Sequence, residues 1–100
     1  MSKATPEGQV KKEIKVYLDA LPYTWYFMPW GSESQQRGIP DFAGLTNGRF
    51  WVIEAKATAK QRPTLLQKLC LAQVRRARGI ALVIHSENLW KLHELRRLLD

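Results

Sequence analysis

Gly38-Ile39-Pro40-Asp41-Phe42-Ala43-Gly44-Leu45-Thr46-Asn47-Gly48-Arg49-Phe50-Trp51-Val52-Ile53-Glu54-Ala55-Lys56 is the stretch on which the fold turns. Asn47-Gly48 stands between two β-prone runs, about Asp41 to Leu45 and Arg49 to Lys56, and in that setting it is the strongest short hairpin signal. With these two as the loop, position 46 pairs with 49 and each outward step keeps the sum of paired positions constant. Asp41 then falls opposite Glu54. Like charges at a cross-strand pair repel, because their β-carbons are only about 5 Å apart. A divalent cation offsets that repulsion naturally, since hard cations prefer carboxylate oxygens. Alternation along the strand puts Glu54 and Lys56 on one face and Ala55 on the other, so Asp41, Glu54 and Lys56 converge. Ala43, Leu45, Phe50 and Val52 share that face, so the charged trio is expected where a buried apolar surface gives way to an opening. The bland alternative is that Asp41 merely follows Pro40 in a turn while Glu54 and Lys56 form a surface ion pair.

Upstream of the hairpin, Thr5-Pro6-Glu7 starts a helix that runs to about Ala20, with Thr5 as cap. Val10, Ile14, Leu18 and Leu21 mark its inner face, and Pro22 ends it. Lys11, Lys12 and Lys15 lie off that stripe, as a solvated or phosphate-facing side would. Tyr23 to Met28 is aromatic and β-prone, and Pro29 and Gly31 bound it as one short strand. Gly31 to Gly38 is polar and is expected to be a mobile loop.

Downstream, Ala57 to Pro63 is polar and basic, and Thr64 opens a helix through Arg78 that stops at Gly79. Ile80 to Ile84 is wholly apolar, which predicts a strand buried on both faces. Ser86 is expected to cap a last helix, Leu89 to Leu99, with Leu89, Leu92, Leu95 and Leu99 facing inward. The order is α-β-β-β-α-β-α in one domain spanning residues 1–100: an α/β fold with a mixed β-sheet flanked by helices. The strand–helix–strand unit from Phe50 to Ile84 should set its two strands parallel.

Composition narrows the partners. A chain of 100 residues has room for one modest core, and its four Trp leave aromatic surface for a second copy to cover. Sixteen Lys and Arg against nine Asp and Glu give a net charge of +7, which favours a polyanion and above all nucleic acid. The single cysteine, Cys70, sits in an apolar run and has no internal disulfide partner, so it reads as core filler in a reducing cytoplasm. No apolar run approaches the roughly 20 residues of a membrane span, and Met1-Ser2-Lys3-Ala4-Thr5 lacks a signal peptide's apolar core. No membrane partner is therefore expected. His85 and His93 are isolated, which argues against a zinc site.

Gly38-Ile39-Pro40-Asp41 followed by Ile53-Glu54-Ala55-Lys56 resembles the PD-(D/E)XK nuclease signature, and within it the VRR-NUC family. The likeness extends to Thr5-Pro6-Glu7-Gly8, Gly48-Arg49-Phe50 and Pro63-Thr64-Leu65-Leu66-Gln67, covering about Thr5 to Ile84. It implies a restriction-endonuclease-like core. The chain is similar in size and motif order to the single-domain phage and bacterial members, which implies a homodimeric Mg²⁺- or Mn²⁺-dependent endonuclease acting on branched DNA, the four-way (Holliday) junction. A phage-encoded member would work in the host cytoplasm. The junction preference is inherited from the resemblance alone.

By the same resemblance Asp41 and Glu54 bind the metal with the carbonyl of Ala55, while Lys56 positions or activates the attacking water. Gln67 matches a glutamine that contacts water, metal shell or phosphate, although Thr64-Leu65-Leu66-Gln67 is also a capping box. The N-terminal catalytic and metal-binding acid is Glu7 or Glu13, and helical spacing favours Glu7, three positions before Val10. Its bland role is to complement the helix dipole. DNA-contact candidates are Lys11, Lys12, Lys15, Arg37, Lys60, Arg62, Lys68, Arg75, Arg76 and Arg78. Trp30 stacks on an unpaired base or packs in a dimer interface, with packing preferred. Two other functions stay open: a nicking or flap nuclease without junction preference, and a non-catalytic basic DNA-binding module of a repair or replication complex.

Overall fold

Asn47 (φ 50°) and Gly48 (φ 83°) both take the left-handed conformation that a two-residue hairpin turn needs. They join β2 (Phe42–Thr46) to β3 (Arg49–Ala55), which pair antiparallel with Thr46 opposite Arg49 and Phe42 opposite Ile53. This is the register counted from the turn. The structure, a computed structural model, describes residues 5–29 and 38–100. β1 (Thr24–Phe27) pairs antiparallel with β2, and β4 (Ile80–Ile84) pairs parallel with β3. The result is a small α/β domain whose four-stranded mixed sheet, in the order β1-β2-β3-β4, is flanked by helices.

Alternation of side chains divides the sheet between two cores. On one face Phe42, Trp51, Ile53, Ala55 and Ile84 are buried with Val10, Ile14 and Leu18 of α1 (Pro6–Asp19), Leu21, and the C-terminal Leu92 and Leu95. Thr5 caps α1 by accepting a hydrogen bond from Gly8 N at 2.9 Å, which satisfies one of the amides that a helix start leaves free. On the other face Ala43, Val52 and Ala81 pack under Leu71 and Val74 of α2 (Leu65–Arg76). One polar chain crosses the first core. The Trp51 indole donates to the buried Thr46 hydroxyl, which lies 2.8 Å from that of Thr24, and Thr24 donates to the Pro22 carbonyl.

Five expectations change. The last helix is broken: α3 (His93–Arg96) is a single turn between 3₁₀ turns at Leu89–Leu92 and Arg97–Leu99. Leu89, Leu92, Leu95 and Leu98 recur every three residues, the period of a 3₁₀ rather than an α-helix, and all four pack into the core. Ser86 does not cap the segment. Asn88 occupies the cap position, but its side chain turns back to accept from His85 N and donate to Val83 O.

β4 lies at the sheet edge and buries only Ala81 and Ile84 fully, because a helix covers each face but nothing pairs its outer side among the described residues. Two of its carbonyls receive side-chain donors instead, Ala81 O from Arg75 and Val83 O from Asn88. α2 ends two residues early in a Schellman turn, with Gly79 N bonded to Val74 O and Arg78 N to Arg75 O. The left-handed residue there is Arg78 (φ 74°), not Gly79. Finally, Leu45 and Phe50, next to the turn of the hairpin, share the α2 face but stay exposed, since α2 packs mainly on β4 and on the part of β3 beyond Phe50.

Candidate active site

The β2–β3 register, carried one step beyond Phe42 and Ile53, sets Asp41 against Glu54 where β3 leaves the hairpin and enters the parallel part of the sheet. Asp41 is held there by a main-chain amide of the facing strand: Oδ2 accepts from Ala55 N at 2.8 Å. Glu54 is 3% exposed, on the face that α2 covers. Its Oε2 accepts from Gln67 Nε2 at 2.9 Å and lies 3.4 Å from Lys56 Nζ. Its Oε1 is buried and has no hydrogen-bond partner among the described residues.

Gly38 explains how the motif before Asp41 reaches this place. A Cβ on that residue (φ 86°) would stand 2.6 Å from the main-chain carbonyl of Leu66, so only glycine lets the strand approach run over the first turn of α2. That contact brings Gln67 to Glu54. The two roles weighed for Gln67 are both present: Oε1 accepts from Thr64 N at 2.9 Å in a complete capping box, and Nε2 is left to hold Glu54. One amide caps the helix and orients the carboxylate.

From the other face α1 delivers Lys11. Its Nζ lies 3.3 Å from Asp41 Oδ1 and 3.5 Å from Glu7 Oε2. The sequence placed Lys11 on a solvated or phosphate-facing side, and that expectation is corrected: Asp41 draws the ammonium into the cluster. The available signal was the Glu7–Lys11 spacing of one helical turn, which favours an ion pair in that order. Glu7 meets the cluster through Lys11, while Glu13 is exposed.

Electrostatics follow from this crowding. Burial, reinforced by the Asp41 charge, pushes the Glu54 carboxyl up to about 7, against the lowering pull of Lys56. Burial pulls the Lys11 ammonium down, but Asp41 and Glu7 outweigh it and leave the group above its ordinary value. Cys70 is half-buried, and burial followed by the Glu54 charge raises its thiol.

The remaining candidates form no such cluster. Lys12 and Lys15 on α1, Lys60 and Arg62 after β3, and Lys68, Arg75 and Arg76 on α2 are exposed. Lys60 and Arg62 lie in a segment tied down at Ala57, whose N donates to Gln61 Oε1 and whose carbonyl accepts from Ser86 N. Arg37 and Trp30, and the expected loop from Gly31, lie outside the described residues.

Asp41 and Glu54 carry the kind of oxygen donor that a hard divalent cation prefers. Asp41 Oδ1 and the orphaned Glu54 Oε1 are carboxylate oxygens, and ions such as Mg²⁺ are commonly held by one or two carboxylates with phosphate oxygens completing the shell. Among the described residues no group of three or more His, Cys, Asp or Glu is placed to hold a metal. A cation would therefore rest on two carboxylates and on main-chain or substrate oxygens. Among the described residues no helix is long and apolar enough to cross a membrane. No family profile, no curated protein and no solved structure matches this chain.

Proposed function

We propose that this protein is a metal-dependent structure-specific DNA endonuclease of the VRR-NUC type, with a restriction-endonuclease-like core, that cuts four-way junctions as a homodimer. The observation that carries the reading is the buried Glu54 Oε1, a carboxylate oxygen without a partner among the described residues, in a cluster with Asp41 and Lys56. Burying a charged group unsatisfied is costly, and oxygen held that way is a ready ligand for a cation.

Asp41 and Glu54, with the Ala55 carbonyl, would hold Mg²⁺ or Mn²⁺, which when bound lowers the pKa of water and stabilises charge on the phosphate. The chain's own groups do the rest. Ala55 N fixes Asp41, Gln67 fixes Glu54, and the Lys56 ammonium 3.4 Å from Glu54 faces the place where the nucleophile and scissile phosphate would meet. Glu7 acts through Lys11 at the outer edge of the cluster. Lys12, Lys15, Lys60, Arg62 and Lys68 would hold phosphates without reading bases, as suits an enzyme that recognises shape. A two-fold pair of such sites matches the symmetry of a four-way junction.

One observation favours a second reading, a basic DNA-binding module without catalysis: both inner carboxylates already have ammonium partners, Asp41 from Lys11 and Glu54 from Lys56. Cleavage of a labelled four-way junction beside matched linear duplex and flap, with Mg²⁺, Mn²⁺ or chelator, separates them. Paired cuts in the junction that need metal and vanish in Asp41→Ala are expected. Equal cutting of all three substrates would leave a nuclease without junction preference, and tight binding without cutting would leave the module.

A further inference from the structure

Each oxygen of Asp41 has one partner among the described residues. Oδ2 is taken by Ala55 N, and Oδ1 lies 3.3 Å from the Lys11 ammonium. Glu54 is in the converse state, with Oε2 engaged by Gln67 and Lys56 and Oε1 without a partner among the described residues. A cation drawing on both carboxylates would therefore meet Lys11 at the Asp41 oxygen, while the Glu54 oxygen it would use, Oε1, has no hydrogen-bond partner to displace among the described residues. Two positive centres drawing on Asp41 Oδ1 at contact distance repel each other, because a half-buried site screens them less than water does.

Lys11 also has somewhere to go. Glu7 lies one helical turn earlier on the same face, 3.5 Å from the same ammonium, and its side chain is 41% exposed. The long lysine stem can leave Asp41 and keep Glu7, so the exchange costs one partly exposed ion pair rather than a stranded charge.

We infer that Lys11 is a built-in counter-ion that a divalent cation must displace from Asp41, and that it sets the metal concentration at which the site fills. The inference rests on the metal-dependent reading above. It makes Glu7 the residue that receives Lys11, a positioning role in which Glu7 need not touch the metal.

The test uses the full chain without DNA and Mn²⁺ alone as probe, with free Mn²⁺ counted by electron paramagnetic resonance. Lys11→Met is expected to tighten Mn²⁺ binding about two- to fivefold, the scale on which a partly exposed ion pair contributes. Lys15→Met removes the same charge from the exposed side of the same helix and is expected to change binding less than about twofold, since solvent and salt screen it. Asp41→Asn should abolish binding. Unchanged or weaker binding in Lys11→Met, or equal tightening in Lys15→Met, would overturn the inference and leave the metal site standing. Mn²⁺ left free by wild type and by Lys11→Met alike would remove the metal-dependent reading with it. Mn²⁺ taken up by Lys11→Met alone would support the displacement directly. If Lys11→Met melts before it can be titrated, Lys11→Gln gives the same comparison.

Discussion

Glu54 is the buried carboxylate of the Asp41, Glu54 and Lys56 cluster. Its carboxyl is pushed up to about 7, first by burial and then by Asp41, so the folded chain holds the proton more tightly than the unfolded chain. The sign follows: this group's contribution is complete below the ordinary carboxylate value of 4.5 and is lost as pH rises through about 7. Thermal melts in chelator across that window are expected to show wild type losing stability relative to Glu54→Gln as pH rises. Two curves that stay parallel would count against it. Gln67 offers a second test, because its two functions sit on different atoms. Gln67→Glu keeps the capping box but turns a carboxylate toward Glu54 in place of a donor, so on the proposed nuclease function folding should persist while cleavage falls about ten- to a hundredfold. Thr64→Ala should do the reverse, costing about 1 kcal/mol of stability with a much smaller effect on cleavage. The capping box was legible from Thr64 and Gln67 alone; the contact with Glu54 was not, since it depends on how α2 lies across the sheet.

At the scale of elements, local signals succeeded where the determinants are adjacent in sequence. The Asn47-Gly48 turn, the Thr5 and Thr64 caps and the inner stripe of α1 all rest on neighbours within one or two turns. The end of α2 shows the limit of that logic. A glycine at position 79 reads as the left-handed stop, yet Arg78 takes the positive φ. Gly79 is needed for space, because a Cβ there would stand 2.7 Å from Val74 Cγ1. Arg78→Gly should therefore stabilise the protein by about 0.5–1 kcal/mol, the relief of left-handed strain less the entropy of a new glycine. The Arg49 side chain bonds the main-chain carbonyl of residue 78 and would be kept. Denaturant unfolding with an unchanged slope measures the gain, and a loss of stability would show that the Arg78 side chain matters more than its backbone.

For the whole molecule, the sheet face shared with α2 is only half covered. Trp25, Phe27, Leu45 and Phe50 share that face and are exposed, and Leu65, Leu66 and Leu69 of α2 are exposed as well. An apolar surface of that kind is rarely left to water. The proposed homodimer gives it a role. Light scattering is expected to show a dimer in wild type and a monomer in Leu45→Asp, with the circular dichroism of the folded chain retained. A monomeric wild type, with and without junction DNA, would remove the paired-cut part of the proposal and leave the single site untouched.

The sequence by itself determined the order of the elements, the hairpin register and the meeting of Asp41 with Glu54 and Lys56, because each is set by counting along one or two adjacent strands. It could not determine that α1 brings Lys11 to Asp41, or that α2 brings Gln67 to Glu54. Those contacts join residues far apart in the chain, and the angle and height at which a helix crosses a sheet decide them. The close approach of Gly38 to Leu66 and the packing of Ile14 and Leu18 set that geometry. The same is true of what stays exposed: alternation placed Leu45 and Phe50 on the α2 face, but only the place along the sheet where α2 packs decided that they would remain uncovered.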